Sequence, residues 1–139
     1  MEKIMFEDLP STNTPLNAEN LNKIQTNAEN AINEVDNKFN YSTEEKIIGT
    51  WEGKPLYRKV ISTRTPTTDS TWEIIAEIPN NIKLKNSNAI IAGYLPAPVY
   101  IASNYYAVYQ ITSGYIQMNV AGYTNNSVEF IIEYTKIND

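Results

Sequence analysis

Cysteine and histidine are both absent from the chain of 139 residues. Without cysteine, neither a disulfide nor a thiolate-bound metal is possible. Without histidine, the chain lacks the side chain most often used for proton transfer near neutral pH and the commonest nitrogen ligand of metals. Catalysis would have to rest on carboxylates, lysine, tyrosine or serine alone. We therefore expect a protein that is not an enzyme and that uses no cofactor and no metal.

Clusters of basic residues are also missing. The chain has 11 Lys and Arg against 16 Asp and Glu, and residues 1–45 carry nine acidic and three basic side chains. Binding to a nucleic-acid backbone needs clustered Lys and Arg, so we expect no nucleic-acid partner. The first residues have neither the cationic nor the apolar region of a signal peptide, and no apolar run reaches membrane-spanning length. We expect a chain made in the cytoplasm with no membrane partner.

The residues in excess are asparagine and tyrosine, with 18 and ten copies. Amides and phenols are neutral groups that form hydrogen bonds and also present flat apolar faces. Such side chains suit solvent-facing sheets, contacts with carbohydrate and contacts between subunits equally well. Composition alone leaves these three uses open.

The first third of the chain predicts an arm followed by a helix. Pro10 and Pro15 flank a polar stretch and favour an extended arm over residues 1–16. Asn17 is a good N-cap, and helical periodicity runs over residues 17–40. Apolar residues recur at spacings of three and four, as in a coiled-coil seam: Leu21, Ile24, Ala28, Ile32, Val35 and Phe39.

This helix needs a partner, because seven asparagines between positions 17 and 37 make it marginal in isolation. Its apolar stripe packs either on the β domain of the same chain or against copies of itself. The pattern favours self-association in a bundle.

Beyond Tyr41 the periodicity changes to two, which is typical of strands that have one dry face and one wet face. We predict an antiparallel β-sandwich over residues 44–139. Alternation is cleanest in three strands, and the dry faces expected for them are Trp72, Ile74, Ala76 and Ile78 in the first, Ile116, Met118 and Val120 in the second, and Val128, Phe130, Ile132 and Tyr134 in the third. The eight predicted strands cover residues 46–51, 54–63, 70–78, 88–95, 98–102, 105–111, 115–122 and 127–136.

Three stretches resemble tail-fibre and receptor-binding proteins of bacteriophages that infect Gram-positive bacteria. Residues 6–24 are similar to the segment that precedes the helix in such fibres, residues 43–59 to the opening hairpin of their β domain, and residues 130–139 to its last strand. The most specific match is Gly49-Thr50-Trp51 followed by Gly53-Lys54-Pro55-Leu56-Tyr57. The three stretches cover about a third of the chain and occur in the same order as in the family.

The resemblance implies a homotrimer in which the helices form a stalk and the β domains form a jelly-roll-like head. It further implies a protein exposed on the virion surface. Residues 1–16 would attach it to a baseplate, neck or capsid protein, and the anchoring residues would be Phe6, Leu9, Pro10, Pro15 and Leu16. The head would bind a host cell-wall polysaccharide or teichoic acid.

Aromatic rings beside amides are the usual carbohydrate contacts of proteins, because a ring packs on a pyranose while an amide binds its hydroxyls. Six candidates for a glycan site follow: Asn104, Tyr105, Tyr106, Tyr109, Tyr115 and Tyr123. Tyrosine is also a good strand residue and suits the contacts between subunits, so these clusters have a purely structural interpretation too.

Two other functions remain open. One is a capsid, neck or baseplate fibre with no specific receptor. The other is a spike that degrades polysaccharide, for which Glu129 and Glu133 are the candidate carboxylates. Glycosidases place two carboxyl groups across a cleft, whereas these two lie on one face of one strand, so we do not expect this activity.

Overall fold

The computed structural model describes residues 17–138. The chain divides into two compact units, one ending at Asn40 and the other beginning at Tyr41. The first contains the helix α1 (Ala18–Phe39). The second contains β1 (Lys46–Trp51), β2 (Lys54–Arg64), β3 (Glu73–Glu77), β4 (Ile82–Ile91), β5 (Leu95–Ala97), β6 (Val99–Ala102), β7 (Tyr105–Thr112), β8 (Tyr115–Ala121) and β9 (Ser127–Lys136).

Helix α1 begins after Asn17, whose side-chain oxygen accepts a hydrogen bond from the backbone N–H of Asn20 at 2.9 Å. This bond satisfies one of the free N–H groups of the first turn. Glu19 in the first turn and Lys38 in the last complement the helix dipole. No residue of α1 is buried. Within residues 17–138, no helix is both long enough and apolar enough to span a membrane.

The nine strands form two antiparallel sheets. One has five strands in the order β1-β2-β9-β4-β5, and the other has four in the order β3-β8-β7-β6. β9 is the central strand of the larger sheet and pairs along its length with β2 on one side and β4 on the other. The prediction of a mainly β fold with antiparallel strands and a helix is confirmed.

A single core lies between the sheets. Alternate residues of β8 and β9 have no exposed surface: Ile116, Met118, Val120, Phe130, Ile132 and Tyr134. The ring of Tyr109 from the smaller sheet meets Phe130 from the larger one edge-on, with centroids 5.2 Å apart. The hydroxyl of Tyr109 also lies 3.1 Å from that of Ser87 on β4. The dry faces predicted for β8 and β9 are confirmed.

The bounds of the strand predicted over residues 88–95 are wrong at both ends. β4 begins at Ile82 and ends at Ile91, after which the chain turns through Ala92 and Gly93, whose φ angles are 52° and 80°. A positive φ cannot continue a strand, and glycine adopts it without steric cost. The turn was hidden in the sequence because apolar residues flank it on both sides.

The dry face predicted for β3 is wrong in part. The register with β8 shifts between Ile74 and Ala76. A bulge adds one residue to a strand and moves the residues beyond it to the other face. Trp72 and Ile74 are consequently 44% and 62% exposed, whereas Ile78 is buried.

The segment between β2 and β3 crosses from one sheet to the other and is held by polar contacts. The hydroxyl of Thr65, which is buried, donates to the carbonyl of Tyr123 at 2.5 Å and accepts from the N–H of Asn126 at 2.8 Å. At the far end, the Glu73 carboxylate accepts the backbone N–H of Thr67 at 3.2 Å. That hydrogen bond holds the pKa of Glu73 below its ordinary value, because it stabilises the ionised form.

Glu45 fastens the segment before β1 to the end of β9. Its carboxylate accepts the hydroxyl of Tyr134 and lies 2.5 Å from Nζ of Lys136. Burial raises the pKa of Tyr134 well above its ordinary value, and the hydrogen bond to the anionic Glu45 acts in the same direction. Nearby, Nζ of Lys54 donates to the carbonyl of Ile137 at 2.6 Å. These contacts close one end of the larger sheet.

We expect Glu45→Ala to lower the free energy of unfolding by about 1–3 kcal/mol, because it leaves the buried Tyr134 hydroxyl without an acceptor. Glu44→Ala is the matched control, since that carboxylate is 78% exposed and pairs with Lys46 at the surface. We expect this control to change stability by less than about 0.5 kcal/mol. Urea denaturation of both variants measures the difference, and equal effects would contradict the role given to Glu45.

Candidate functional site

The outer face of the four-stranded sheet is the candidate site. Because Ala107 on β7 and Ile116, Met118 and Val120 on β8 point into the core, the residues between them point outward. We define the tyrosine-amide face as six outward residues of β6, β7 and β8: Tyr100, Tyr106, Gln110, Tyr115, Gln117 and Asn119.

Tyr100 and Tyr106 form the aromatic part of this face. They are paired across β6 and β7, and their rings stack with centroids 6.0 Å apart and planes 21° apart. The hydroxyl of Tyr106 donates to Oδ1 of Asn119 on β8 at 3.0 Å. Tyr106 is therefore held on both sides, while Tyr100 is 71% exposed. We call these two stacked rings the platform.

The amide part of the face lies beside this platform. Nε2 of Gln117 donates to Oε1 of Gln110 across the β7–β8 pair at 2.6 Å. Each of these two amides keeps a further donor or acceptor for solvent or a ligand. Asn119 thus offers an amide next to the ring of Tyr106, whereas Gln110 and Gln117 lie about 13 Å farther along the strands on the same face.

Charge is nearly absent from this surface. Glu77 pairs with Tyr115 in the register of β3 and β8, and it is the one charged side chain among the outward residues of these four strands. Ile74 lies opposite Gln117 and is 62% exposed. A neutral surface with flat rings and amides can bind a polyhydroxylated ligand or another protein, but it has no group that suits an ionic ligand.

The structure places the predicted glycan residues in three different locations. Tyr106 and Tyr115 lie on the tyrosine-amide face. Tyr105 and Tyr123 meet edge-on at 6.2 Å, next to the turn that contains Asn104. Tyr109 belongs to the core beside Phe130 and takes no part in the face.

Gly122 permits the contact between Tyr105 and Tyr123. Its φ is +78°, and a Cβ added there would lie 2.7 Å from the ring of Tyr105. Only glycine fits so close an approach.

The stripe of α1 is exposed in the described structure. Its large residues Leu21, Ile32, Val35 and Phe39 are 53%, 61%, 52% and 79% exposed, and Ile24 and Ala28 are exposed as well. The predicted anchoring residues Phe6, Leu9, Pro10, Pro15 and Leu16 lie outside the described residues.

Sequence reasoning missed Tyr100. It lies in a predicted strand, but nothing in its local sequence shows that it faces outward beside Tyr106, since that pairing depends on the register of β6 and β7.

The two candidate carboxylates of the larger sheet, Glu129 and Glu133, lie on the same face of β9. Glu133 accepts hydrogen bonds from Arg58 at 3.1 Å and from Asn86 at 3.0 Å, and Glu129 lies four residues away on the same strand face. Among the described residues, no group of three or more acidic side chains could hold a metal ion.

Comparison with known proteins finds no matching family model, no matching curated protein and no matching solved structure.

We expect the tyrosine-amide face to contribute little to stability, so that its variants fold. Tyr106→Phe removes the hydrogen bond to Asn119 and should cost about 0.5–1.5 kcal/mol. Tyr100→Ala removes a ring that is 71% exposed and should cost about 0.5 kcal/mol or less. Thermal unfolding followed by circular dichroism checks both values. A loss of several kcal/mol for Tyr100→Ala would mean that the stacked pair is a structural element.

Proposed function

We propose that the protein is a structural fibre or spike protein of a bacteriophage virion. In this proposal, residues 1–16 attach the chain to another virion protein, the helices form a trimeric coiled-coil stalk, and the jelly-roll-like head binds a glycan of the host cell surface. The observation that carries the binding part is the neutral tyrosine-amide face, whose rings and amides are partly or largely exposed and contact one another by stacking and hydrogen bonds. The virion assignment rests on the sequence resemblance.

The exposed stripe of α1 supports self-association. Large apolar side chains recur along one side of the helix, and the most exposed of them, Phe39, is 79% exposed. Six asparagines within α1 weaken the helix by itself. Copies of the chain would bury the stripe and supply the stability that the isolated helix lacks. The number three comes from the family resemblance.

The chemistry of the head supports a carbohydrate ligand. A pyranose has an apolar C–H face and a rim of hydroxyls, and it carries no charge. Tyr100, which stacks on Tyr106 and is 71% exposed, offers an apolar ring, and Asn119 offers an amide beside Tyr106. Gln110 and Gln117 offer further amides along the same face. One such site is shallow and would bind weakly. Three copies on one stalk would raise the overall affinity without new contacts.

A fibre without a receptor is the alternative that one observation favours. Trp72 and Ile74, at the edge of the same sheet, are 44% and 62% exposed. Exposed apolar side chains of this size are typical of protein interfaces. In this alternative, the outer face of the four-stranded sheet contacts another virion protein. A spike that degrades polysaccharide is a third candidate with no specific observation in its favour.

We expect light scattering at micromolar concentration to give a mass three times that of the 15.8 kDa chain. Val35→Glu should reduce it to the mass of one chain, because three carboxylates would be buried without partners in the seam. Asn30→Glu introduces the same charge on the opposite side of α1 and should leave the trimer intact. A wild-type monomer would rule out the stalk and the trimeric fibre.

We expect the wild-type protein to bind whole host cells or a glycan array, and we expect Tyr100→Ala and Tyr106→Ala to weaken binding about tenfold or more, which corresponds to about 1.4 kcal/mol. The reason is that each variant removes half of the stacked platform. Tyr41→Ala removes a tyrosine that is 60% exposed outside the sheets and serves as the control.

Binding that survives in both platform variants would exclude this face as the glycan site. Loss of binding in Tyr41→Ala as well would mean that the substitutions act through the fold. Absence of binding to any cell surface or glycan would favour the fibre without a receptor.

A further inference from the structure

A cleft lies on the outer face of the five-stranded sheet, away from the tyrosine-amide face on the other sheet. Its volume is about 420 Å³, which is within the range of small-molecule sites. The lining residues come from β2, from β4 and the turn that follows it, and from β9: Ser62, Thr63, Ile90, Gly93, Ser127, Val128 and Glu129. We call it the Glu129 cleft.

Three of these residues form a row across the sheet. Ser62 pairs with Glu129, and Glu129 pairs with Ile90 on its other side. Neighbouring strands lie about 4.8 Å apart, so the row spans about 10 Å from Ser62 to Ile90 with the carboxylate in the middle. Ser127 precedes Glu129 by two residues in β9 and therefore lies on the same face of the strand. A hydroxyl and an apolar side chain thus flank the carboxylate, each on a strand about 4.8 Å from the strand of Glu129.

The two outward glutamates of β9 differ in their partners. Glu133 is held by Arg58 and Asn86 from the strands on either side. The corresponding neighbours of Glu129 are Ser62 and Ile90, which bring no positive charge. Arg64 is two residues beyond Ser62, but its guanidinium is bound to Oδ1 and the carbonyl of Asn125 at 2.9 and 3.0 Å. Within residues 17–138, Glu129 consequently has no cation paired with it.

The cleft is open at the turn between β4 and β5. Gly93 has a φ of +80°, and a Cβ added there would have no atom within 4 Å. The turn at Gly93 therefore leaves this end of the cleft open. Tyr94, the next residue, is 76% exposed. A ligand can enter from this side without displacing any side chain of the sheet.

We propose that the Glu129 cleft binds a sugar ring that carries two adjacent hydroxyl groups. An ionised carboxylate has two oxygens that only accept hydrogen bonds, and it can accept one from each hydroxyl of such a pair. Hydrogen bonds to an ionised acceptor are about twice as strong as those between neutral groups. The hydroxyls of Ser62 and Ser127 bind further groups of the ring, and Ile90, which is 36% exposed, contacts its C–H face.

This site deepens the proposed function, because it adds a second carbohydrate contact to the head, on the opposite sheet from the first. It depends on neither the trimer nor the tyrosine-amide face. A cation is the competing ligand of a lone carboxylate. Calcium takes six to eight oxygen ligands, however, and the cleft offers a single carboxylate with two serine hydroxyls. The sugar is therefore the better fit.

The experiment titrates the full-length protein, labelled at isoleucine methyl groups, with D-glucose, D-galactose and N-acetyl-D-glucosamine at millimolar concentrations. The Ile90 methyl resonance reports on the Glu129 cleft, and the Ile74 methyl reports on the tyrosine-amide face. We expect at least one sugar to shift Ile90 saturably. Glu129→Gln, which keeps the size of the side chain, should raise the apparent Kd about tenfold.

Glu77→Gln is the control, since it neutralises an exposed glutamate on the other sheet and should leave the Ile90 titration unchanged. A titration in which no sugar shifts Ile90 would overturn the inference. Shifts at Ile74 alone would also overturn it, while supporting the proposed glycan site on the tyrosine-amide face. A shift of Ile90 by calcium chloride and by none of the sugars would overturn it in favour of a cation site.

Discussion

The central position of β9 is the constraint on which the rest of the head depends. It pairs with β2 on one side and β4 on the other, and its dry face packs against the smaller sheet. Because side chains alternate strictly along a strand, burial of Phe130, Ile132 and Tyr134 forces Glu129 and Glu133 outward. The register of the neighbouring strands then gives each glutamate its surroundings. One strand thus fixes the core, the end held by Glu45 and the position of the Glu129 cleft.

The smaller sheet follows the same principle with different residues. Burial of alternate residues of β8 leaves tyrosine and amides on the outside, where a soluble domain commonly carries charge. These side chains form hydrogen bonds with one another, and they carry no charge. A surface that is rigid, neutral and flat is suited to a ligand with hydroxyls and C–H groups. We propose that the two sheets bind carbohydrate by different means, one through aromatic rings and the other through a carboxylate.

Helix α1 differs from the head in having no buried core residues. Its capping by Asn17 and its end charges favour the helix locally, yet none of its residues is buried. An amphipathic helix of this kind gains most of its stability from packing. In the proposed trimer, association stabilises the helix and also brings several weak binding sites together on one particle. Assembly and adsorption would then depend on the same stripe of apolar residues.

The sequence by itself predicted the start of α1, the mainly β character of the chain and the dry faces of β8 and β9, because caps and alternation depend on residues near one another. Only the tertiary structure decided that Tyr100 stacks on Tyr106, that Tyr109 enters the core and that Glu129 lacks the partners of Glu133. The first and last of these arrangements depend on the register of β6 with β7 and of β9 with β2 and β4. A shift of one residue moves a side chain to the other face, and no local pattern encodes such a shift.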